Sequence, residues 1–265
     1  ISALNSLSSL SVDGKERFGI LAGFPWFFQF WSRDSLVSLK ALSVFNRQLA
    51  CKLISGYLGS IGEDGRLPNL VGTHDSKALG SADADGWLFL RAGEAAANIK
   101  KNESLSSSIK EALARIAQSR HAGSSRIKKY IESCRQMLSK KEDECRDLPD
   151  EIKASLGKSL NELLACYQNG SFARNKTNET WMDTDFGNDG REGARIEIQA
   201  FRLGMYRLGF ELTRDYKYKI LENKLRSELK QKFWNGRILA DGLGDWTARP
   251  NIFIAAYAYP ELLSQ

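Results

Sequence analysis

Cysteine, histidine and proline are scarce in this chain of 265 residues. It contains four Cys, two His and five Pro, and no two cysteines form a C-x-x-C pair. A zinc site needs Cys and His at set spacings, so the sequence predicts no metal site. The scattered thiols are expected to be reduced and at least partly buried.

Long apolar runs are also lacking. The longest, residues 18–31, is interrupted by Gly, Pro and Gln. It is too short to cross a bilayer, and it lacks the basic flank of a signal peptide. The sequence therefore predicts no membrane association, and a cytoplasmic location is the default expectation.

The overall composition is that of a soluble globular protein. Hydrophobic residues make up 42% of the chain and charged residues 26%, which are ordinary values. Disorder, collagen and coiled coil are excluded as the main architecture. The length suits one large domain or two small ones.

The positive charge is concentrated in one segment. The chain has 38 Lys and Arg against 32 Asp and Glu, and residues 100–146 alone carry twelve basic and six acidic side chains. A basic protein can bind nucleic acid, but no recognition motif accompanies this charge. We interpret the segment as a solvated helical face and expect no nucleic-acid partner.

Helical periodicity runs through most of the chain. Apolar residues recur at three- and four-residue steps, and no run alternates as a strand would. The sequence predicts an all-α fold with eight or nine helices. A turn is expected after His121. The helices that can be placed cover 35–46, 87–99, 105–117, 126–138, 151–167, 196–212, 216–234 and 252–263.

The segment WFFQFWSRD, residues 26–34, is the first candidate site. Flat aromatic faces and the rigid donor fork of Arg33 suit a sugar ring and its hydroxyls, and Asp34 could accept from two hydroxyls. A buried aromatic core with a satisfied ion pair explains the same residues equally well.

The segment TWMD offers a carboxyl beside an indole. Asp183 follows Trp181 by two residues. An apolar neighbour would disfavour the charged form and raise the pKa, as a general acid requires. The plainer interpretation is a helix-capping or turn Asp.

Two further carboxylates stand out. Asp83 lies in GSADADGW, which is either a capped helix start or part of a sugar site, and lacks the spacing of a calcium loop. Glu197 is a lone carboxylate in the apolar segment RIEIQAF. A first-turn Glu favoured by the helix dipole explains it without any function.

Seven motifs in order resemble the glucosidase domain of glycogen-debranching enzymes, especially the archaeal kind, and more distantly glucoamylase-type glycosidases. The resemblance covers about residues 4–260 and weakens near 100–165. The motifs are AGFPWF, WSRD, LPNLV, SADA, TWMD, IEIQAF and ARPN.

This resemblance implies an (α/α)₆ toroid and an inverting hydrolase of α-glucosidic bonds in glycogen or related α-glucans. Asp183 falls where these enzymes place the general acid, and no metal or organic cofactor is implied. A second carboxylate would activate water from the opposite face. Substrate-binding positions are matched by Trp31, Arg33, Asp34, Asp83, Trp181, Glu197 and Arg249.

The sequence departs from the family in two respects. Ser32 stands where debranching enzymes usually have Gly, which leaves 1,6 or 1,4 linkage preference open. The general-base Glu of the family matches nothing before Gln265, and Glu261 is a poor replacement because it follows Pro260 in an ordinary helix start.

We therefore expect residues 1–265 to form a single partial toroid domain, incomplete at its C-terminus, with a basic helical segment at about 100–165. The alternative is an α-glucan-binding or degenerate member that lacks the base. A trehalase-like activity is a further option within the enzyme class, and the oligomeric state stays open.

Overall fold

The computed structural model describes residues 2–13, 18–71, 81–97, 129, 148–169, 171–183 and 190–262. These residues are mostly helical, which confirms the predicted all-α class. The helices predicted at 105–117 and 126–138, and the turn after His121, lie outside the described residues. So do residues 100–147, with the exception of Lys129.

The helices largely follow the predicted positions. Asn46 ends one helix and caps the next, because its side chain accepts a hydrogen bond from the Leu49 amide. The first helix and the one after Asn46 were not predicted. The described helices are α1 (Ser2–Leu10), α2 (Ser32–Phe45), α3 (Arg47–Leu58), α4 (Ala84–Ala97), α5 (Leu148–Tyr167), α6 (Ile196–Thr213), α7 (Tyr216–Lys232) and α8 (Asn251–Ala258).

Two small antiparallel hairpins accompany these helices, and a 3₁₀ turn (Pro260–Leu262) follows α8. Strands β1 (Ser11–Asp13) and β2 (Phe18–Ile20) pair with each other, as do β3 (Gln168–Asn169) and β4 (Phe172–Ala173). Strands of two or three residues are too short to show alternation in the sequence.

Helix α6 lies at the centre of the described fold, packed against α4, α5, α7 and α8. It is buried on most sides, including the polar side chains of Glu197, Gln199 and Arg202. Gln199 bonds both the amide and the carbonyl of Ala173, which fastens β4 to the helix. The close crossing of α4 and α6 depends on Gly86, where a Cβ would collide with the Phe201 ring.

Four helices pack in succession along the chain, α2 against α4, α4 against α6 and α6 against α8. The N-terminal ends of these helices carry polar residues that are either predicted site residues or members of one of the seven motifs. Arg33 lies in the first turn of α2, Asp83 directly precedes α4, Glu197 lies in the first turn of α6, and Asn251 opens α8. These ends meet, because side-chain hydrogen bonds connect each of them to residues 180–183 directly or through one further side chain.

Two expectations about the chain's environment can be compared with this fold. Cys51 is buried in α3 and is disulfide-bonded, so the expectation of a reduced thiol is wrong for this cysteine. Within the described ranges, no helix combines the length and the apolar character needed to span a membrane.

Candidate active site

The guanidinium of Arg33 joins three distant segments. Its Nε donates to Asp83 Oδ2 at 2.8 Å, its Nη2 to Ser81 Oγ at 2.9 Å, and its Nη1 to Asp183 Oδ2 at 3.0 Å. Because the guanidinium is planar and rigid, these bonds fix its orientation as well as its position. The predicted site residues Arg33, Asp83 and Asp183 are therefore brought together.

Asp83 lies behind Arg33 rather than on the surface. Its side chain is 1% exposed, and Ser81 donates a further hydrogen bond to its Oδ1. Its backbone carbonyl accepts from the Trp87 amide in the first turn of α4. The carboxylate predicted to line a pocket is positioned to orient Arg33 instead.

Asp183 is the accessible carboxylate of this group. Its side chain is 39% exposed, and its Oδ2 faces Arg33. The Trp181 ring N–H donates to Asn251 Oδ1 at 2.7 Å, which ties the indole to the start of α8. The charged partner of Asp183 is Arg33, and the partial desolvation expected from the adjacent Trp stays a prediction.

Asp34 is exposed on the first turn of α2, next to Arg33 in sequence. Partial burial raises the pKa of its carboxyl above the usual value, against the lowering effect of Arg33. The nearby Asp183 and Asp83 carboxylates also raise this pKa. Two exposed acids, Asp34 and Asp183, thus stand at one arginine.

The loop that contains LPNLV supports the start of α2. The Ser32 amide donates to the Asn69 carbonyl at 2.9 Å, and the Ser32 hydroxyl donates to the Pro68 carbonyl. Trp31 pairs with Leu70 through a β-bridge. The Ser32 side chain is fully buried, so its hydroxyl is used within the fold.

Trp31 is half-buried at the N-terminal end of α2. Its indole N–H is buried and has no hydrogen-bond partner among the described residues. Buried Trp donors usually find an acceptor.

Glu197 does not line the surface either. It is 0% exposed, and its two oxygens accept from Arg191 Nη1 at 2.6 Å and Nη2 at 3.1 Å. Burial raises the pKa of Glu197, against the opposing effect of Arg191. Arg191 also donates to Thr180 Oγ1 at 2.9 Å. The predicted pocket residue thus supports the segment that carries Asp183.

Asp241 is the acceptor that connects this buried group to Trp181. Its carboxylate accepts hydrogen bonds from Arg191 Nη2 at 3.1 Å, from Arg249 Nη1 at 2.9 Å and from the side-chain amide of Asn251. Asn251 in turn holds the Trp181 indole. Arg249, a predicted site residue, does not contact Trp181 itself but is connected to it by hydrogen bonds through Asp241 and Asn251.

A third carboxylate, that of Asp245, lies partly buried at the edge of this group. Asp245 accepts from Arg195 Nη1 and from Arg249 Nη1, both at 2.7 Å. Partial burial favours its neutral form. Hydrogen bonds from Thr247 and the two guanidinium groups outweigh that effect and hold its pKa well below the usual value.

A known protein family matches almost the whole chain. The sequence profile of the family described as amylo-alpha-1,6-glucosidase matches residues 4–265. The chain belongs to this family. The resemblance to the glucosidase domain of glycogen-debranching enzymes is thereby confirmed, while the archaeal subtype stays a prediction. A search of curated proteins found no match.

Several residues of the candidate site were not singled out from the sequence. Asn251 lies within the motif ARPN but had no role there, and Arg191 lies between TWMD and IEIQAF, outside the seven motifs. Arg191 has a positive φ of 49°, a left-handed conformation that its residue type does not suggest. The unassigned members of the site are Ser81, Thr180, Arg191, Asp241 and Asn251.

Four carboxylates of the candidate site accept hydrogen bonds from arginine side chains, namely Asp83, Asp183, Glu197 and Asp241. Within the described ranges, no group of three or more His, Cys, Asp and Glu side chains is arranged to hold a metal ion. Asp185, the other acid of TWMDTD, lies outside the described residues.

Proposed function

We propose that this chain hydrolyses α-glucosidic bonds in glycogen or related α-glucans, with Asp183 as the general acid. Family membership points to a glycosidase that acts on glucans. The observation that carries the residue assignment is the Arg33–Asp183 contact, which brings an accessible carboxyl to the arginine proposed to bind the terminal glucose. A general acid must lie beside the bond that it protonates, and this position meets that requirement.

In this proposal, the terminal glucose unit lies at the exposed side of Arg33. Asp34 accepts from sugar hydroxyls, and the half-buried ring of Trp31 forms an aromatic wall beside them. Trp181 is 38% exposed and offers an aromatic face. Asp83, Glu197 and Arg249 act indirectly, because they hold Arg33 and the segment that contains Trp181.

The proposed mechanism inverts the anomeric carbon. Asp183 protonates the leaving oxygen while a second carboxylate, about 6.5–9.5 Å away, activates water on the opposite face. Glu261 does not meet this requirement, because Arg207 binds its carboxylate at 2.8 Å. Arg207 is eleven residues beyond Ile196 on α6, about 16 Å from the end near Asp183.

The helix arrangement supports a toroid. Helices α2, α4, α6 and α8 pack in succession, and their N-terminal ends meet at the same group of side chains. We propose that these are inner helices of an (α/α)₆ toroid that forms a single domain. One hydrophobic cluster, from Ile20 to Tyr259, connects them.

Product analysis tests this function. The protein is incubated with a maltooligosaccharide and with a branched α-1,6-linked substrate, and the released glucose is observed by NMR before mutarotation. We expect β-glucose first. Initial α-glucose would contradict inversion, and ligand binding without glucose release would show a glucan-binding protein.

A further inference from the structure

A buried acid lies two residues after Asp83, in the first turn of α4. Asp85, the second residue of α4, is 0% exposed. Its Oδ1 accepts a hydrogen bond from the Leu67 amide at 2.8 Å. Its Oδ2 is buried and has no hydrogen-bond partner among the described residues. The proposed glycosidase chemistry makes no use of this group.

The Asp85–Leu67 bond ties α4 to the loop that supports Arg33. The residues that follow Leu67 are Pro68, whose carbonyl accepts from the Ser32 hydroxyl, and Asn69, whose carbonyl accepts from the Ser32 amide. Ser32 immediately precedes Arg33. Asp85 is therefore connected to Arg33 indirectly. One hydrogen bond joins Asp85 to the loop, and two hydrogen bonds join the loop to Ser32, the neighbour of Arg33.

The electrostatic environment of Asp85 favours the protonated, neutral form of its carboxyl. The charged groups that face it are Arg66 and Asp64 on the loop and Asp83 before α4. Arg66 already pairs with Glu179 at 2.8 Å, and the other two are carboxyls. Burial raises the pKa of Asp85 to about 8, because a buried charge without sufficient partners is costly.

We propose that Asp85 is a positioning residue that holds a proton on its unpartnered oxygen. Through its bond to the Leu67 amide, it fixes the loop of residues 66–69, which in turn holds Ser32 next to Arg33. Loss of that proton puts an uncompensated charge inside the fold and loosens the loop. The link to catalysis rests on the proposed function. The structural role does not depend on it.

The sign of the pH effect follows from linkage. The carboxyl binds its proton more tightly in the folded chain, with a pKa of about 8 instead of 3.8. The stability that the proton contributes is present at low pH and falls as the pH rises between these values. Asp85→Asn keeps the acceptor oxygen and cannot ionise, so it should remove this dependence.

Thermal melting tests that prediction. Asp85→Asn should melt close to the unmodified protein at pH 4.5 and several degrees above it at pH 8.5. Asp150→Asn, on an exposed carboxyl of α5, is the matched control and should show no such crossover. Equal destabilisation by Asp85→Asn at both pH values would overturn the proposal, since it would mean that a charged Asp85 stabilises the fold.

Hydrogen exchange tests the bond to the loop. At one fixed pH, Asp85→Ala should accelerate exchange of the Leu67 amide at least about tenfold, the change expected for loss of about 1.4 kcal/mol of protection. Asp85→Asn should leave it protected. Unchanged exchange in Asp85→Ala would show that the bond does not hold the loop.

The coupling to catalysis has its own readout. With a glucan substrate, kcat/KM of the unmodified protein should fall more steeply above pH 8 than that of Asp85→Asn. Identical profiles in an active protein would refute the coupling alone. If the chain hydrolyses no glucan, the proposed function fails, while the melting and exchange measurements still decide the role of Asp85.

Discussion

Arg33 Nη1 and Asp183 Oδ2 lie 3.0 Å apart although 150 positions separate the two residues. The same guanidinium holds Asp83, so the first turn of α2, the start of α4 and the TWMD segment share one hydrogen-bonded centre. Loops that are distant in sequence therefore open onto one site. The sequence predicted this convergence only through the order of its motifs.

Replacing Arg33 should damage both fold and function. Arg33→Gln removes the charged partner of the buried Asp83 carboxylate, and we expect a loss of about 1–3 kcal/mol in the free energy of unfolding. Hydrolysis should fall at least about a hundredfold, because Asp183 loses its anchor. Denaturant titration and kinetics measure the two effects, with the exposed Arg237→Gln as control. Full activity in Arg33→Gln would remove Arg33 from the site.

Glu197 should prove to be a supporting residue. Glu197→Ala leaves the buried Arg191 without one of its two carboxylate partners, and we expect a destabilisation of about 3–5 kcal/mol. The KM of the folded fraction should change little, because Glu197 is not exposed. Glu211→Ala, at the exposed end of the same helix, provides the control. A large rise in KM without loss of stability would indicate direct substrate contact instead.

Asp245 should make the protein sensitive to acid. Its pKa is depressed in the folded chain, so its contribution to stability is present above the unfolded value of about 3.9 and is lost as the pH falls below it. Asp245→Asn should lower the melting temperature most near pH 7 and progressively less below pH 4. A difference that stays constant from pH 2 to 7 would contradict this assignment.

Ser32 should not set linkage preference. Its hydroxyl is buried and donates to the Pro68 carbonyl, so it is used within the fold. Ser32→Ala should cost about 0.5–1.5 kcal/mol for the lost hydrogen bond. The ratio of 1,6 to 1,4 cleavage should change less than about twofold, since that difference corresponds to under half a kcal/mol. A larger change in the ratio, measured on paired disaccharides, would reopen the role of this position.

Sequence reasoning located the helices and the surface of the site better than its interior. The spacing of Leu36, Leu39 and similar residues predicts α2, and WSRD and TWMD contain the accessible side chains. Helix α3 was missed because Asn46 separates it from α2 by a single residue. Hydrophobic periodicity predicts which face of a helix is buried. It does not predict which charged side chains form ion pairs in the interior.

The buried charges show that limit clearly. Arg191, Asp241 and Asp245 occur in loops, where no periodic pattern distinguishes a buried ion from an exposed one. Glu197 was noted as a lone carboxylate in an apolar segment, and Arg249 was marked only through the family resemblance. Neither signal revealed that Glu197 pairs with Arg191 and that Arg249 pairs with Asp241. Only coordinates show that Asp83 and Glu197 are covered while Asp183 is not.

The most direct test of the account compares two substrates in Asp183→Asn. A maltooligosaccharide needs its leaving oxygen protonated, whereas the fluoride of α-glucosyl fluoride departs without an acid. We predict that kcat/KM falls at least about a hundredfold on the oligosaccharide and far less on the fluoride, with the exposed Asp150→Asn unchanged on both. Equal losses on the two substrates, or no loss on either, would contradict the assignment of Asp183 as the general acid.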